Sequence, residues 1–115
     1  MNQAKGQLGE EAASKYLQNL GYHIVARNYR CPEGEIDIIC TYQKELVFVE
    51  VKTRPSTSFG FPEEAVTRKK QNTIRKASRH FLADYPERYH EIRFDVISIL
   101  LESDQMVFNH IKAAF

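Results

Sequence analysis

Asp37, Glu50 and Lys52 are the residues of this chain whose types and spacing best fit a chemical task. Two carboxylates offer hard oxygen ligands to a divalent ion such as Mg²⁺ or Mn²⁺. A lysine beside them can orient or activate a water and offset charge building on a phosphate. Phosphodiester hydrolysis uses all three parts. The chain carries no Gly-rich phosphate loop and no nucleophile elbow that would point to another chemistry. The four histidines (His23, His80, His90, His110) show no metal-ligand spacing, so no zinc site is expected. The two cysteines form no pattern either. Cys40 lies within an apolar strand and Cys31 in a polar stretch, which fits a reducing compartment.

A hairpin must position the acids. Strands are expected over Glu35–Tyr42 and Glu45–Lys52, with the turn centred on Gln43-Lys44. One face then pairs Ile36 with Val51, Ile38 with Val49 and Cys40 with Val47. The other pairs Thr41 with Leu46, Ile39 with Phe48, Asp37 with Glu50 and Glu35 with Lys52. Matching apolar to apolar over most of the length is what fixes a register. Gln-Lys is not a favoured tight turn, and a four-residue loop with the same centre preserves the pairing. Asp37 and Glu50 become cross-strand neighbours with Cβ atoms roughly 5 Å apart, and Lys52 emerges on the face of Glu50. Like charges so placed destabilise a sheet unless something positive sits between them. The plain alternative is an edge hairpin with Glu35–Lys52 as a surface pair. Against it, Val47, Val49 and Val51 on one face and Leu46 and Phe48 on the other describe a strand buried on both sides.

The flanking elements follow from periodicity and punctuation. A helix is expected over Ala4–Leu20, gathering Leu8, Ala12, Ala13, Tyr16, Leu17 and Leu20 on one side and stopped by Gly21. A strand over His23–Asn28 precedes a loop containing Cys31, Pro32 and Gly34. Pro62 opens a second helix, with Glu63 and Glu64 in its first turn, running to about Asp84. Strands over Ile92–Leu100 and Met106–Ile111 close the order α-β-β-β-α-β-β, an α/β sandwich forming one domain over residues 1–115.

On the first helix Glu10 borders the apolar stripe, where it either leans into the site or compensates the helix dipole. On the second, Lys70 falls within the stripe of Val66, Ile74, Ala77 and Phe81. Its ammonium either snorkels out or reaches a phosphate. Arg68, Lys69, Lys70, Arg75, Lys76 and Arg79 form a block without acids, either a solvated face or a polyanion-binding one. Arg54, in the loop after Lys52, is a candidate phosphate contact. Asp95 shares a strand face with Arg93 and reads first as a structural ion-pair member.

The 115 residues, 43% of them hydrophobic, suffice for a core without metal or disulfide staples. A net charge of +1 does not announce a nucleic-acid binder, so charge placement must carry that reading. No run approaches transmembrane length, and the first residues lead into an amphipathic pattern instead of an apolar signal core. A cytoplasmic location is expected, with no membrane partner.

Gly9-Glu10-x-Ala12-Ala13, Arg27-Asn28-x-Arg30, Gly34-Glu35-Ile36-Asp37, Phe48-Val49-Glu50-Val51-Lys52-Thr53-Arg54 and Arg93-Phe94-Asp95-Val96 together resemble the YraN family of small bacterial proteins. The resemblance covers almost the whole chain. It implies a restriction-endonuclease-like core of the PD-(D/E)xK group, a mixed sheet of about five strands flanked by helices. Glu50-x-Lys52 supplies half of that signature, while Ile36 stands where the proline would precede Asp37. The chain is also similar to archaeal Holliday-junction resolvases in Gly6-x-x-x-Glu10, which implies a part for Glu10 in the site. Such relatives act as dimers, which raises a homodimer here.

The resemblance implies an endonuclease-like enzyme. Asp37 and Glu50 bind Mg²⁺ or Mn²⁺, Glu10 assists, and Lys52 serves the water or phosphate. Arg54, Lys70, Arg27 and Arg30 hold nucleic acid, DNA ahead of RNA, in a branched or nicked form. Two other functions are compatible with the chain: a catalytically silent nucleic-acid-binding accessory protein, and a protein-interaction adaptor that docks through the charged hairpin end.

Overall fold

The computed structural model describes residues 3–55 and 66–115. Its elements are α1 (Gln3–Asn19), β1 (His23–Cys31), β2 (Gly34–Tyr42), β3 (Glu45–Pro55), α2 (Arg68–Ala83), β4 (Glu91–Glu102) and β5 (Gln105–Ile111). The sheet runs in the order β1-β2-β3-β4-β5. Its pairs are antiparallel except β3 with β4, which are parallel and joined through α2. A parallel pair needs such a crossover, whereas the antiparallel pairs close through tight turns.

Each face of the sheet carries its own core. Ala13 and Leu17 of α1 pack on Ile38, Cys40, Val47, Val49, Ile97 and Ile99. Ile74 and Ala77 of α2 pack on Ile36, Ile39, Leu46, Phe48, Phe94 and Val96. Every residue from Leu46 to Glu50 is buried, so β3 is covered on both sides. The helices thus lie on opposite faces of a five-stranded mixed sheet, the α/β architecture and strand order that the sequence led one to expect.

Local chemistry sets the element ends. Gly21, at φ +96°, ends α1 in a Schellman arrangement: Tyr22 N–H reaches Leu17 O and Gly21 N–H reaches Gln18 O, both at 3.0 Å. Tyr22 and Leu17 then join the same core. The hairpin turn is the tight one after all, with Gln43 and Lys44 both at positive φ (50° and 70°). That geometry suits the strand twist but not these residue types. It is held by the stacking of Tyr42 on Tyr22 at 4.3 Å and by His90 N–H donating to Lys44 O at 2.8 Å.

Three expected boundaries move by three residues or more. β1 continues beyond Asn28 to Cys31, because Tyr29 packs edge-on against Phe81 at 5.3 Å and only Pro32 and Glu33 form the turn. β3 continues beyond Lys52, since its parallel ladder with β4 runs to Pro55 opposite Leu101. Arg54 is therefore a strand residue, not a loop residue. α2 starts at Arg68 instead of Pro62, for Thr67 is extended (φ −68°, ψ 164°) and its hydroxyl accepts the Lys70 N–H at 3.2 Å. Pro62, Glu63 and Glu64 lie outside the described residues.

Leu17 is fully buried, whereas Leu20, one turn on, is 48% exposed. Leu17→Ala should cost about 2–5 kcal/mol of unfolding free energy and Leu20→Ala less than about 0.5 kcal/mol, read from urea denaturation. Equal losses would contradict the packing of α1.

Candidate metal centre

The site forms where β2 and β3 part. Their ladder runs from Tyr42 opposite Glu45 to Ile38 opposite Val49 and does not continue to the expected pair of Asp37 with Glu50. Instead, Asp37 Oδ2 accepts the Val51 N–H at 2.8 Å. A carboxylate thus takes a hydrogen bond that a backbone carbonyl would have taken in a regular ladder, and it is fixed by doing so.

Side-chain alternation breaks at the same place. Ile36 joins Ile39 in the α2 core, while Ile38 and Cys40 stay in the α1 core. The expected common face for Ile36, Ile38 and Cys40 is therefore not formed. The facing strand has a matching irregularity. Arg27 pairs with Ile38 and Tyr29 with Ile36, and Asn28 between them sits at φ 53°. Asparagine tolerates this left-handed conformation better than most residues.

The break lets Asp37 serve both faces of the sheet. It lies within side-chain hydrogen-bonding reach of Glu10 from α1 and of Glu50 from β3. Glu10 also meets Asn28, with Arg27 nearby. The three acids form a row with Asp37 in the middle. Among the described residues, the row is not a closed trio of ligand atoms within 4.8 Å of one another. Burial first, and the charge of Asp37 second, push the Glu10 carboxyl up to about 7. The Glu50 carboxyl, only 5% exposed, is pushed up to about 7 by the same two causes, against the opposing pull of Lys70 and Lys52.

Two ammonium groups complete the cluster. Lys52 Nζ lies 3.5 Å and Lys70 Nζ 3.8 Å from Glu50 Oε2, and both lysines are partly exposed. Lys70, four residues before the buried Ile74 on α2, thus reaches the acids instead of merely covering core. Glu35, expected opposite Lys52, is paired with Arg30 at 2.8 Å on the exposed end of the β1–β2 hairpin. Arg54 is partly buried on β3, opposite Leu100. Arg27 is exposed beside Glu10.

The acids suit a hard cation on structural grounds. Glu10 Oε1 is buried with no hydrogen-bond partner, and three carboxylates crowd each other beside a low-dielectric core. An orphaned buried oxygen normally has an occupant that satisfies it. All three donors are carboxylate oxygens, which favours Mg²⁺ or Mn²⁺ over softer ions.

Asn28 and Gly9 carry parts of the site that sequence reasoning gave no role. A β-carbon at Gly9 would collide with Thr53 Oγ1, so glycine is what lets α1 lie close on β3 with Glu10 beside Asp37. Asp95 belongs to a different network. It is fully buried and bound by Arg93 Nε and Nη2 (both 2.9 Å), His110 Nε2 (2.7 Å) and Ala113 N–H (3.0 Å). Burial alone would raise its carboxyl, but these bonds hold it below the usual range. Arg93 also bonds Glu45 and Tyr22. The network ties β4 to β3, to β5 and to the segment after α1.

The family model "Uncharacterised protein family UPF0102" matches residues 9–99 of the chain. A UPF0102 protein of Syntrophomonas wolfei is 48% identical over 115 residues, covering all of both chains. One from Alkaliphilus oremlandii is 47% identical over 117 residues, again covering both completely. One from Nocardia farcinica is 45% identical over 114 residues, covering 98% of this chain and 90% of its own. Among solved structures, Pyrococcus furiosus SfsA in complex with Ca²⁺ is similar at a TM-score of 0.35 and 15% identity, over 96% of this chain and 63% of that one.

The raised Glu10 and Glu50 carboxyls make a pH prediction for metal-free protein. A folded-state value near 7 against an ordinary 4.5 contributes stability that is complete below 4.5 and lost as pH rises through 7. Glu10→Gln removes one of the charges. Its melting temperature should exceed that of the unsubstituted protein at pH 8 in chelator, with the difference vanishing near pH 4.5. A Glu10→Gln protein that is less stable at pH 8 would show that the acids do not repel.

Proposed function

The chain belongs to the uncharacterised protein family UPF0102, and from its site we propose that it is a metal-dependent nuclease that hydrolyses phosphodiesters in nucleic acid, DNA ahead of RNA. One observation carries the reading: Asp37, fixed by the Val51 N–H, meets both Glu10 and Glu50 while Lys52 and Lys70 approach Glu50 from the exposed side. Acids alone would describe a cation site. Acids with two partly exposed ammonium groups describe a place for a cation and a phosphate together.

Asp37 and Glu50 would hold the ion, Mg²⁺ or Mn²⁺, with Glu10 assisting beside Asp37. The ion, when bound, polarises a phosphate oxygen and lowers the pKa of a water. Lys52 positions the attacking water and offsets the negative charge that grows on the phosphate oxygens. The water oxygen bonds to phosphorus as the P–O bond to the leaving oxygen breaks, and the water's proton ends on that leaving oxygen. Lys70, partly exposed beside Glu50, would contact a phosphate oxygen. Arg27 and Arg54, flanking the acids on β1 and β3, hold neighbouring phosphates. The exposed Arg68, Lys69, Lys76 and Arg79 of α2 extend the basic surface. Arg75 belongs less to that surface, since its guanidinium lies over Phe94 (5.2 Å) and Phe115 (5.4 Å). A cytoplasmic protein of this kind meets its substrate directly. Among the described residues no helix is long and apolar enough to cross a membrane.

Labelled linear, nicked and branched DNA, with Mg²⁺ or Mn²⁺, test the proposal. Cleavage should fall by about 10²–10³-fold or more in Asp37→Asn, Glu50→Gln and Lys52→Ala, the scale on which losing one electrostatic partner of a reaction acts. Binding without metal should persist in Asp37→Asn and weaken with salt and in Lys70→Ala. Salt-dependent binding without cleavage of any substrate would leave a binding module instead. Neither binding nor cleavage would overturn the nucleic-acid reading altogether.

A further inference from the structure

Away from the acids, the fold assembles a second set of ligand atoms of a different character. Cys31 Sγ, a Glu33 carboxylate oxygen and His80 Nδ1 lie within 4.8 Å of one another. Cys31 ends β1, Glu33 lies in the two-residue turn that leads to β2, and His80 comes from the last turn of α2. Sequence spacing gave no hint of this trio, because its members meet only through packing.

We propose that Cys31, Glu33 and His80 form a second metal site, separate from the acidic centre, that takes a divalent transition ion of the zinc class. The donor set is the first reason. One thiolate, one imidazole and one carboxylate suit Zn²⁺, whereas Mg²⁺ avoids sulfur. The separations are the second. Zinc bonds of about 2.0–2.3 Å in a tetrahedron place ligand atoms roughly 3.3–3.8 Å apart. His80 Nδ1 and Glu33 Oε1 are already 3.1 Å apart, so side-chain rotation suffices to close the set.

The third reason is that the backbone is held in place. A β-carbon on Gly34 would collide with the Thr73 side chain, so the hairpin end lies tight against α2. Thr73 and His80 are two helical turns apart and share that face. His80 is thereby presented to the turn that Thr73 pins.

Binding displaces interactions that are already there. The Cys31 thiol, now donating to Gly34 O at 3.5 Å, gives its proton to solvent on forming the metal–sulfur bond. His80 binds through Nδ1 and keeps its proton on Nε2, so its contact with Glu33 is replaced by a shared ion. With the His80 side chain 46% and the Glu33 side chain 40% exposed, the fourth position opens to water. The site joins the β1–β2 hairpin, whose strands carry Asn28 and Asp37, to α2, which carries Lys70. An ion there would brace the two elements that frame the acidic centre.

Cobalt substitution tests this in the whole reduced protein. Co²⁺ at one equivalent should produce a thiolate-to-metal charge-transfer band and the intense visible bands of tetrahedral cobalt, and one equivalent of Zn²⁺ should abolish both. The bands should survive Asp37→Asn combined with Glu50→Gln. Zinc affinity, read by chelator competition, should fall in Cys31→Ser and His80→Ala by more than the ~10–100-fold that loss of an outer-sphere bond costs. All three side chains are partly or largely exposed, so these variants should keep the circular dichroism of the unsubstituted chain. Absence of the thiolate band in the unsubstituted protein overturns the proposal, whatever the variants do. Its persistence in Cys31→Ser overturns it too, by assigning the sulfur to Cys40.

Discussion

The constraint on which the rest depends is the hydrogen bond from Val51 N–H to the Asp37 carboxylate. A regular antiparallel ladder would have carried β2 and β3 on as a flat pair, with Asp37 committed to one face. Taking a backbone donor onto a side chain ends the ladder and sets one acid in the fork. From there it meets an acid of α1 and an acid of β3. Leaving that N–H unpaired would cost about 1–3 kcal/mol, so the carboxylate is held by a bond the sheet cannot cheaply lose.

The surrounding structure makes this costly arrangement tolerable. β3 is buried from Leu46 to Glu50 and paired on both edges, β2 on one and β4 on the other. Such a strand gives Glu50 little freedom to turn toward water. Lys52 and Lys70 partly offset its charge, yet its carboxyl remains raised, so desolvation and Asp37 outweigh the two cations at their present distances. The buried Asp95 is the instructive contrast. Two guanidinium bonds, an imidazole and a backbone N–H satisfy it completely, and its carboxyl is held low. One buried acid is a finished structural joint; the row of three is not. A hard cation fits the row for that reason.

Much of the fold was legible because hydrophobic pattern sets it. The alternation in Leu46–Val51 fixed the hairpin register from Tyr42–Glu45 to Ile38–Val49, and the stripe ending at Gly21 fixed α1. Pattern failed where a local polar group outvoted it. Asn28 at positive φ and Asp37 bonded to the backbone shift Ile36 to the other core, and nothing in period-two reading registers that change. Thr67 capped α2 later than Pro62 had suggested. Within the site, pairing placed Asp37 and Glu50 on neighbouring strands but predicted a direct pair that the ladder stops short of forming. Helical spacing put Lys70 in the apolar stripe without showing that it would approach Glu50. The Glu10 geometry needed Gly9 against Thr53, a close approach visible only in three dimensions.

Titration calorimetry with Mn²⁺ would show whether the row of acids around Asp37 takes up a hard cation. At pH 7, with Glu10 and Glu50 partly protonated, binding should release protons, so the apparent enthalpy should change with the ionisation enthalpy of the buffer. Asp37→Asn should abolish both the binding and that proton release, while Cys31→Ser leaves them intact. An absence of binding at millimolar Mn²⁺, or equal binding by Asp37→Asn, would contradict uptake at that row.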